Sequence, residues 1–237
     1  MKMIRRFFCL NMVFLFFVAC DPPDPPVKQI PFTPMTILAT IENGQKYASI
    51  VDSVQIAMEL NLPAEQIAQE TNREDKKVVV ITAPYTGSDF EIVLPIPVKS
   101  ECLFTLFYGM PEGIEIEGDA DVYGMAFWEV EAVKDGNIVG YFYQSKTDDQ
   151  DKAWLYDAAY AFVVKSVTVE GECAITEKNK NTGKITTNEY NYNCTLKKGW
   201  NVMYRRTKNI LTDGVPGIRV EYFTEKLSGV QWYFDPK

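Results

Sequence analysis

Val167-Thr168-Val169-Glu170-Gly171-Glu172-Cys173-Ala174-Ile175-Thr176 is the stretch on which the reading of this chain turns. Val167, Val169, Cys173 and Ile175 fall on one side of an extended backbone, with Gly171 among them. Thr168, Glu170, Glu172 and Thr176 fall on the other, and that period of two marks a strand with one buried face. A second run answers it, with Tyr190, Tyr192, Cys194 and Leu196 set against Glu189, Asn191, Asn193 and Thr195. If Gly183-Lys184 is a two-residue type II′ turn, with Gly at the position that needs a positive φ, Ile175 faces Tyr192 and Cys173 faces Cys194. The two cysteines then form a non-hydrogen-bonded pair, where opposed Cα atoms lie about 4.5–5.5 Å apart, within the reach of a disulfide. The reading predicts a structural Cys173–Cys194 bond worth roughly 3 kcal/mol through loop closure. A hairpin slipped by two residues keeps the facing but separates the sulfurs. Cys102 then remains as a buried small hydrophobe.

The same alternation recurs outward from this hairpin in many short segments, punctuated by Asn43-Gly44, Thr86-Gly87, Asp135-Gly136-Asn137 and Ser228-Gly229. The fold class is therefore all-β. Strands are predicted at about Thr36 to Ile41, Val51 to Leu60, Lys77 to Ala83 and Phe90 to Leu94, and one short helix candidate at Pro63 to Thr71. Prolines at Pro95-Ile96-Pro97 end the fourth strand, since a central strand cannot lose ladder donors. Dividing the chain there gives a small immunoglobulin- or transthyretin-like sandwich over residues 36–97. A larger antiparallel meander of eight or nine strands follows over residues 98–237, as two packed sheets or an up-and-down barrel.

The first nineteen residues have the parts of a secretory signal: Lys2, Arg5 and Arg6, the apolar run Phe7 to Val18, then Ala19 before Cys20. That run is too short for a membrane-spanning helix, which needs about twenty residues. Phe17-Val18-Ala19-Cys20 resembles the lipobox of bacterial lipoproteins, with Phe17 in place of the usual Leu. The resemblance implies cleavage before Cys20 and a lipid on its thiol. Residues 20–35 hold Asp21-Pro22-Pro23-Asp24-Pro25-Pro26, then Pro31 and Pro34, and read as a stiff tether.

The chain carries a formal charge of −8. Removing residues 1–19 takes away three basic residues and no acid, leaving 21 basic against 32 acidic and a mature charge of −11. Nucleic acid is excluded as a partner on that balance, and anionic lipid headgroups are disfavoured. There is no histidine, which removes imidazole-based triads and nearly every catalytic zinc site. No phosphate-binding glycine loop appears, and no cofactor is expected.

Several constellations remain as candidates. Trp200 and Trp232 share faces with apolar neighbours and read as core, whereas Trp128 and Trp154 are less constrained and are the candidates for stacking on sugar rings. Asp148, Asp149 and Asp151 form the densest carboxylate cluster, of the oxygen type that hard cations take, but no known calcium loop is completed; it reads as a solvated loop and no metal is assigned. Glu115, Glu117, Asp119 and Asp121 recur at period two, a row in which a two-carboxylate glycosidase would look for its acid and base.

Phe90-Glu91-Ile92-Val93-Leu94-Pro95, Val139-Gly140-Tyr141-Phe142 and Leu196-Lys197-Lys198-Gly199-Trp200-Asn201-Val202-Met203-Tyr204 resemble segments of uncharacterised two-domain, β-rich lipoproteins of the Bacteroidota type. The resemblance implies an exported β protein lipid-anchored to the outer membrane and carries over no catalytic residue. In such proteins acidic residues after the lipidated Cys accompany surface export, a pattern that Asp21 and Asp24 partly match. Asp52-Ser53-Val54 likewise resembles their O-glycosylation motif, which makes Ser53 a candidate acceptor. The functional expectation is a non-enzymatic envelope protein that presents a binding or assembly surface to a glycan or another envelope protein. The alternatives are a carbohydrate-binding lipoprotein of a glycan-uptake system and, third, a two-carboxylate glycoside hydrolase. In a native host, Cys20→Ser is expected to block lipidation and cleavage before residue 20; a wild-type protein recovered from the periplasm with an unmodified N-terminus contradicts the anchoring.

Overall fold

The computed structural model describes residues 34–59, 77–96, 98, 100–107, 109–118, 121–148, 150–180 and 182–237. The protein is all-β, as the alternation predicts. The strands are β1 (Thr36–Thr40), β2 (Ser53–Glu59), β3 (Lys77–Pro84), β4 (Asp89–Val93), β5 (Phe104–Thr105), β6 (Ile114–Gly118), β7 (Tyr123–Phe127) and β8 (Glu129–Lys134). They continue as β9 (Asn137–Thr147), β10 (Leu155–Val163), β11 (Val167–Lys178), β12 (Ile185–Leu196), β13 (Gly199–Thr212), β14 (Val215–Phe223) and β15 (Gln231–Pro236). Short 3-10 turns occupy Gly44–Tyr47 and Ser100–Cys102. The helix candidate Pro63 to Thr71 lies outside the described residues, as do Cys20 and the tether up to residue 33.

Two hairpins close on Asp-Gly pairs. Asp135 and Gly136 have φ 49 and 78, Asp213 and Gly214 have φ 51 and 79. Positive φ at both central residues is what a type I′ turn requires, so Lys134 faces Asn137 and Thr212 faces Val215.

The main sheet runs β3-β2-β8-β9-β10-β13-β14-β12-β11-β6, with β15 added on β9, β7 on β10 and β5 on β7. β1 and β4 form a separate antiparallel pair, and the residue after β1 meets β15 in the parallel bridge Ile41↔Trp232. Neighbours are antiparallel except β12 and β14, which run parallel from Glu189↔Arg219 to Asn193↔Phe223. The sheet is therefore mixed and sandwich-like rather than a pure meander, and no closed barrel forms among the described residues. β7 and β8 are one run broken at Trp128: β7 pairs with β10, then β8 leaves it to pair with β9. That switch turns the corner between the two halves of the sheet.

β10 shows why alternation fails in its middle. Tyr160 and Phe162 belong to the large hydrophobic cluster, while Val163 belongs to a smaller one with Val122, Val167, Val169, Cys194 and Leu196. A strand buried on both faces reads as a continuous apolar run, here Ala158 to Val163.

Two expectations need correction. The break at Pro95-Ile96-Pro97 does end β4, but it does not separate a 36–97 domain from a 98–237 domain. Phe32–Lys237 is one compact unit, and Ile37, Ile56, Phe90 and Ile92 pack in the same cluster as Phe142, Tyr160, Trp200 and Phe234. A strand ends where its ladder donors run out, whereas a domain ends where its apolar faces are covered, and the small strands cover theirs with residues of β7, β8, β9, β10, β13 and β15.

The second correction is the Cys173–Cys194 disulfide. The hairpin does not turn on Gly183-Lys184; instead Asn179 and Lys184 extend the ladder, with the Asn179 N–H donating to the Lys184 carbonyl at 2.8 Å. The Asn179 side chain accepts from the Thr182 N–H at 2.9 Å, and Gly183 supplies the left-handed φ of 69 at the loop's exit. This longer loop moves every partner. Cys173 faces Tyr190 and Cys194 faces Val169, so the thiols stand four positions apart along the strands, about 13 Å at about 3.3 Å per residue. Both are free, and Cys102 and Cys194 are each 1% exposed. Burial pushes the Cys194 thiol up to about 12 and raises that of half-buried Cys173 as well. Unreduced peptide mapping of the native protein should find all three as thiols, with Cys173 alkylated first; a peptide joining Cys173 to Cys194 contradicts this register.

Candidate functional site

The corner at Trp128 brings together residues that are far apart in the chain. Trp128 leaves the ladder between β7 and β8, and its half-buried ring is covered by the Arg205 guanidinium, 4.4 Å from the ring centroid. Arg205 is held from the other side by Asp157, to which its Nη2 donates at 2.7 Å across the β10–β13 pair. Next to the ring, β8 turns Glu129 and Glu131 to the outer face of its strand, because Val130 and Ala132 alternate into the core.

Glu131 is only 5% exposed. A carboxylate that buried needs partners, and both of its oxygens have one: Lys77 Nζ donates at 3.0 Å and Gln55 Nε2 at 2.8 Å. Lys77, Trp128, Glu129, Glu131, Tyr141 and Arg205 line one crevice of about 400 Å³. The far side of Trp128 borders an apolar pocket of about 210 Å³ with Leu106, Phe107, Met110, Met203 and Tyr222. There the rings of Tyr192 and Tyr222 stack at 4.9 Å, and burial raises both phenols above their ordinary value.

The opposite face of the second half of the sheet is polar. Tyr156, Arg206, Glu221, Asn191 and Glu172 stand in register across five strands. Arg206 Nε donates to Glu221 at 2.7 Å, Asn191 to Glu172 at 2.5 Å, and Arg219 Nε to Glu189 at 2.7 Å. Hydrogen bonds from Arg219 and Thr212 hold the Glu189 carboxyl below its ordinary value.

The sequence-derived candidates are distributed unevenly over this framework. Trp128 lies in the crevice, half-buried under Arg205, whereas Trp154 is buried at 7% exposure, with Arg206 and Lys208 at 4.5 and 4.4 Å from its ring centroid. Trp200 and Trp232 are core, as their strand faces predict. The aspartate cluster organises its own loop. Asp148 accepts from the N–H groups of Gln150 and Asp151 at 2.8 and 3.0 Å and from the Tyr156 hydroxyl at 2.6 Å. Those bonds, the Tyr156 hydroxyl first, hold its carboxyl down to about 2. Asp151 accepts from the Ala153 N–H at 3.1 Å, while Asp149 lies outside the described residues. No group of three ligating side chains is placed to hold a metal among the described residues.

Glu115 and Glu117 project from the exposed face of β6, Asp121 follows in a turn, and Asp119 lies outside the described residues. Ser53 is half-buried where β2 pairs with Pro84 on one side and Val133 on the other, and Asp52 before it pairs with Lys134 at 2.6 Å. Lys77, Glu131, Tyr141 and Arg205 escape a sequence reading, because each is an unremarkable polar residue on an alternating strand until the corner gathers them.

No protein-family model matches the chain, and no curated protein and no solved structure matches it.

Proposed function

We propose that this chain is a non-enzymatic lipoprotein of the bacterial cell envelope, anchored through Cys20 to the outer membrane, that binds a neutral glycan in the Trp128 crevice. What supports the ligand class is the pairing of charge beside the half-buried rings of Trp128 and Tyr141 in the crevice. Glu131 is neutralised by Lys77, and Arg205 by Asp157. Tyr141 and the part of Trp128 that Arg205 leaves uncovered offer apolar ring area beside these two ion pairs, with the exposed Glu129 carboxylate also in the lining. That combination suits hydroxyl-rich rings better than an anion, which would meet the Glu129 carboxylate and have to displace Glu131 or Asp157 from its pair in a partly dry site. The crevice also has the volume of a small-ligand site, whereas the apolar pocket behind Trp128 falls below the roughly 300 Å³ at which such sites begin. Hydrolysis is less favoured, because the acidic row at Glu115 and Glu117 lies on an exposed edge strand outside this crevice. The lipid, the proline-rich tether and the resemblance to Bacteroidota lipoproteins supply the location, with display at the cell surface.

A broad glycan array read alongside tryptophan fluorescence tests the proposal. Neutral glycans should quench the emission, Trp128→Ala should weaken binding about tenfold or more with the far-UV spectrum unchanged, and Tyr141→Ala should weaken it less. No glycan bound by folded protein, or binding indifferent to both substitutions, overturns the reading.

A further inference from the structure

The strand face that carries the crevice continues past it. Phe142 alternates into the core, so Tyr141 and Tyr143 on either side of it share the outer face of β9. On the β8 side Tyr141 stands opposite Glu131 and Tyr143 opposite Glu129, and both acids line the crevice. On the β15 side Tyr141 faces Asp235 and Tyr143 faces Tyr233, while Trp232 and Phe234 turn into the core. Tyr143 and Tyr233 are half-buried, and their rings stack with centroids 6.0 Å apart. Burial, and after it the neighbours Asp235, Tyr233, Asp157 and Glu129, raises the Tyr143 phenol above its ordinary value, so this ring sits between the crevice and β15.

We propose that the glycan site is longer than the crevice: a linear, neutral oligosaccharide lies across β8, β9 and β15, with one sugar ring in the crevice beside Tyr141 and Trp128 and a further ring on Tyr143 and Tyr233. The inference rests on the glycan reading above and names the class of ligand within it. Spacing favours a chain over a single sugar. Tyr143 lies about 6.6 Å along β9 from Tyr141, and β15 adds about 4.8 Å across the sheet, so one pyranose ring does not rest on both places. The polar groups around the second pair fit the same ligand. Glu129 and Asp235 are exposed and have no ion pair among the described residues. Their carboxylates accept from sugar hydroxyls in charge-assisted bonds and repel uronic acids. The Tyr233 hydroxyl donates to Gln231 Oε1 at 3.2 Å, which leaves the amide donors of exposed Gln231 for a ligand.

Calorimetric titration of the native protein with length ladders of cello-, malto-, manno- and xylo-oligosaccharides, and with an oligogalacturonide ladder as the anionic comparison, tests the proposal. In the neutral series that binds, affinity should rise about tenfold or more from the single sugar to the longer members. Tyr233→Ala should remove that rise and leave the affinity for the shortest bound member unchanged, and Tyr233→Phe, which keeps the ring, should retain it. Asp235→Ala, at an exposed position outside the core, should likewise weaken only the longer members. Affinity that does not grow with length, or growth indifferent to both Tyr233→Ala and Asp235→Ala, overturns the extended site and leaves the crevice reading standing. A preference for the oligogalacturonides also overturns it. Folded protein that binds no member of any ladder overturns this proposal, and the crevice reading falls with it only where the broad glycan array is blank as well.

Discussion

Phe142 is fully buried in the middle of β9, and its ring lies 5.4 Å from Tyr85, 5.4 Å from Phe90 and 4.8 Å from Phe234. Those contacts reach the end of β3, the β4 strand and the last strand of the chain. Burying a phenylalanine of this kind stabilises by about 1.5–3 kcal/mol from transfer alone, and aromatic pairs add to it. The rest of the architecture depends on the same side chain, because β9 is where β8, β10 and β15 all meet. Gly140, two positions before it, keeps β15 close: a Cβ there would stand 2.4 Å from the Asp235 carbonyl oxygen and 2.6 Å from the Phe234 ring. Residues from both ends of the described chain therefore close over one cluster.

The corner at Trp128 follows from that closure. β9 pairs with β10 only from Gln144 to Thr147, and beyond that the two strands part, leaving room for the β7–β8 run to enter between them. Trp128 is the residue at which the run changes partners. A large ring at such a point is neither fully in the core nor free in solvent, and it separates an apolar pocket from a polar crevice. The proposed binding site is thus a by-product of how the sheet turns.

Local features of the fold were legible and long-range ones were not. Alternation located β1, β3 and β4 to within a residue or so at each end, and it assigned Trp200 and Trp232 to the core because each sits among apolar residues of its own strand face. Asp135-Gly136 marked its hairpin correctly, for the physical reason that two positive φ angles are needed there. Gly183 also marked a left-handed position, but the Asn179 side chain draws the loop out to four residues, and a hydrophobic pattern of period two is preserved by that even shift. The cysteines kept their face and lost their partner. Parallel pairing of β12 with β14 left no local trace, and neither did the sharing of one core across Pro95-Ile96-Pro97. The crevice was legible only at Trp128; the burial of Glu131 depends on Lys77 and Gln55, which lie 54 and 76 positions away.

The described residues of 36–97 have no core of their own and fold with the remainder around Phe142. Phe142→Ala in Phe32–Lys237, followed by urea unfolding together with backbone amide exchange, tests it most directly. The account predicts one transition, lowered by about 3–5 kcal/mol, with amides of β1, β2 and β4 losing protection together with those of β9 and β15. Protection of β1, β2 and β4 that survives unchanged, or a second transition belonging to them, would contradict it.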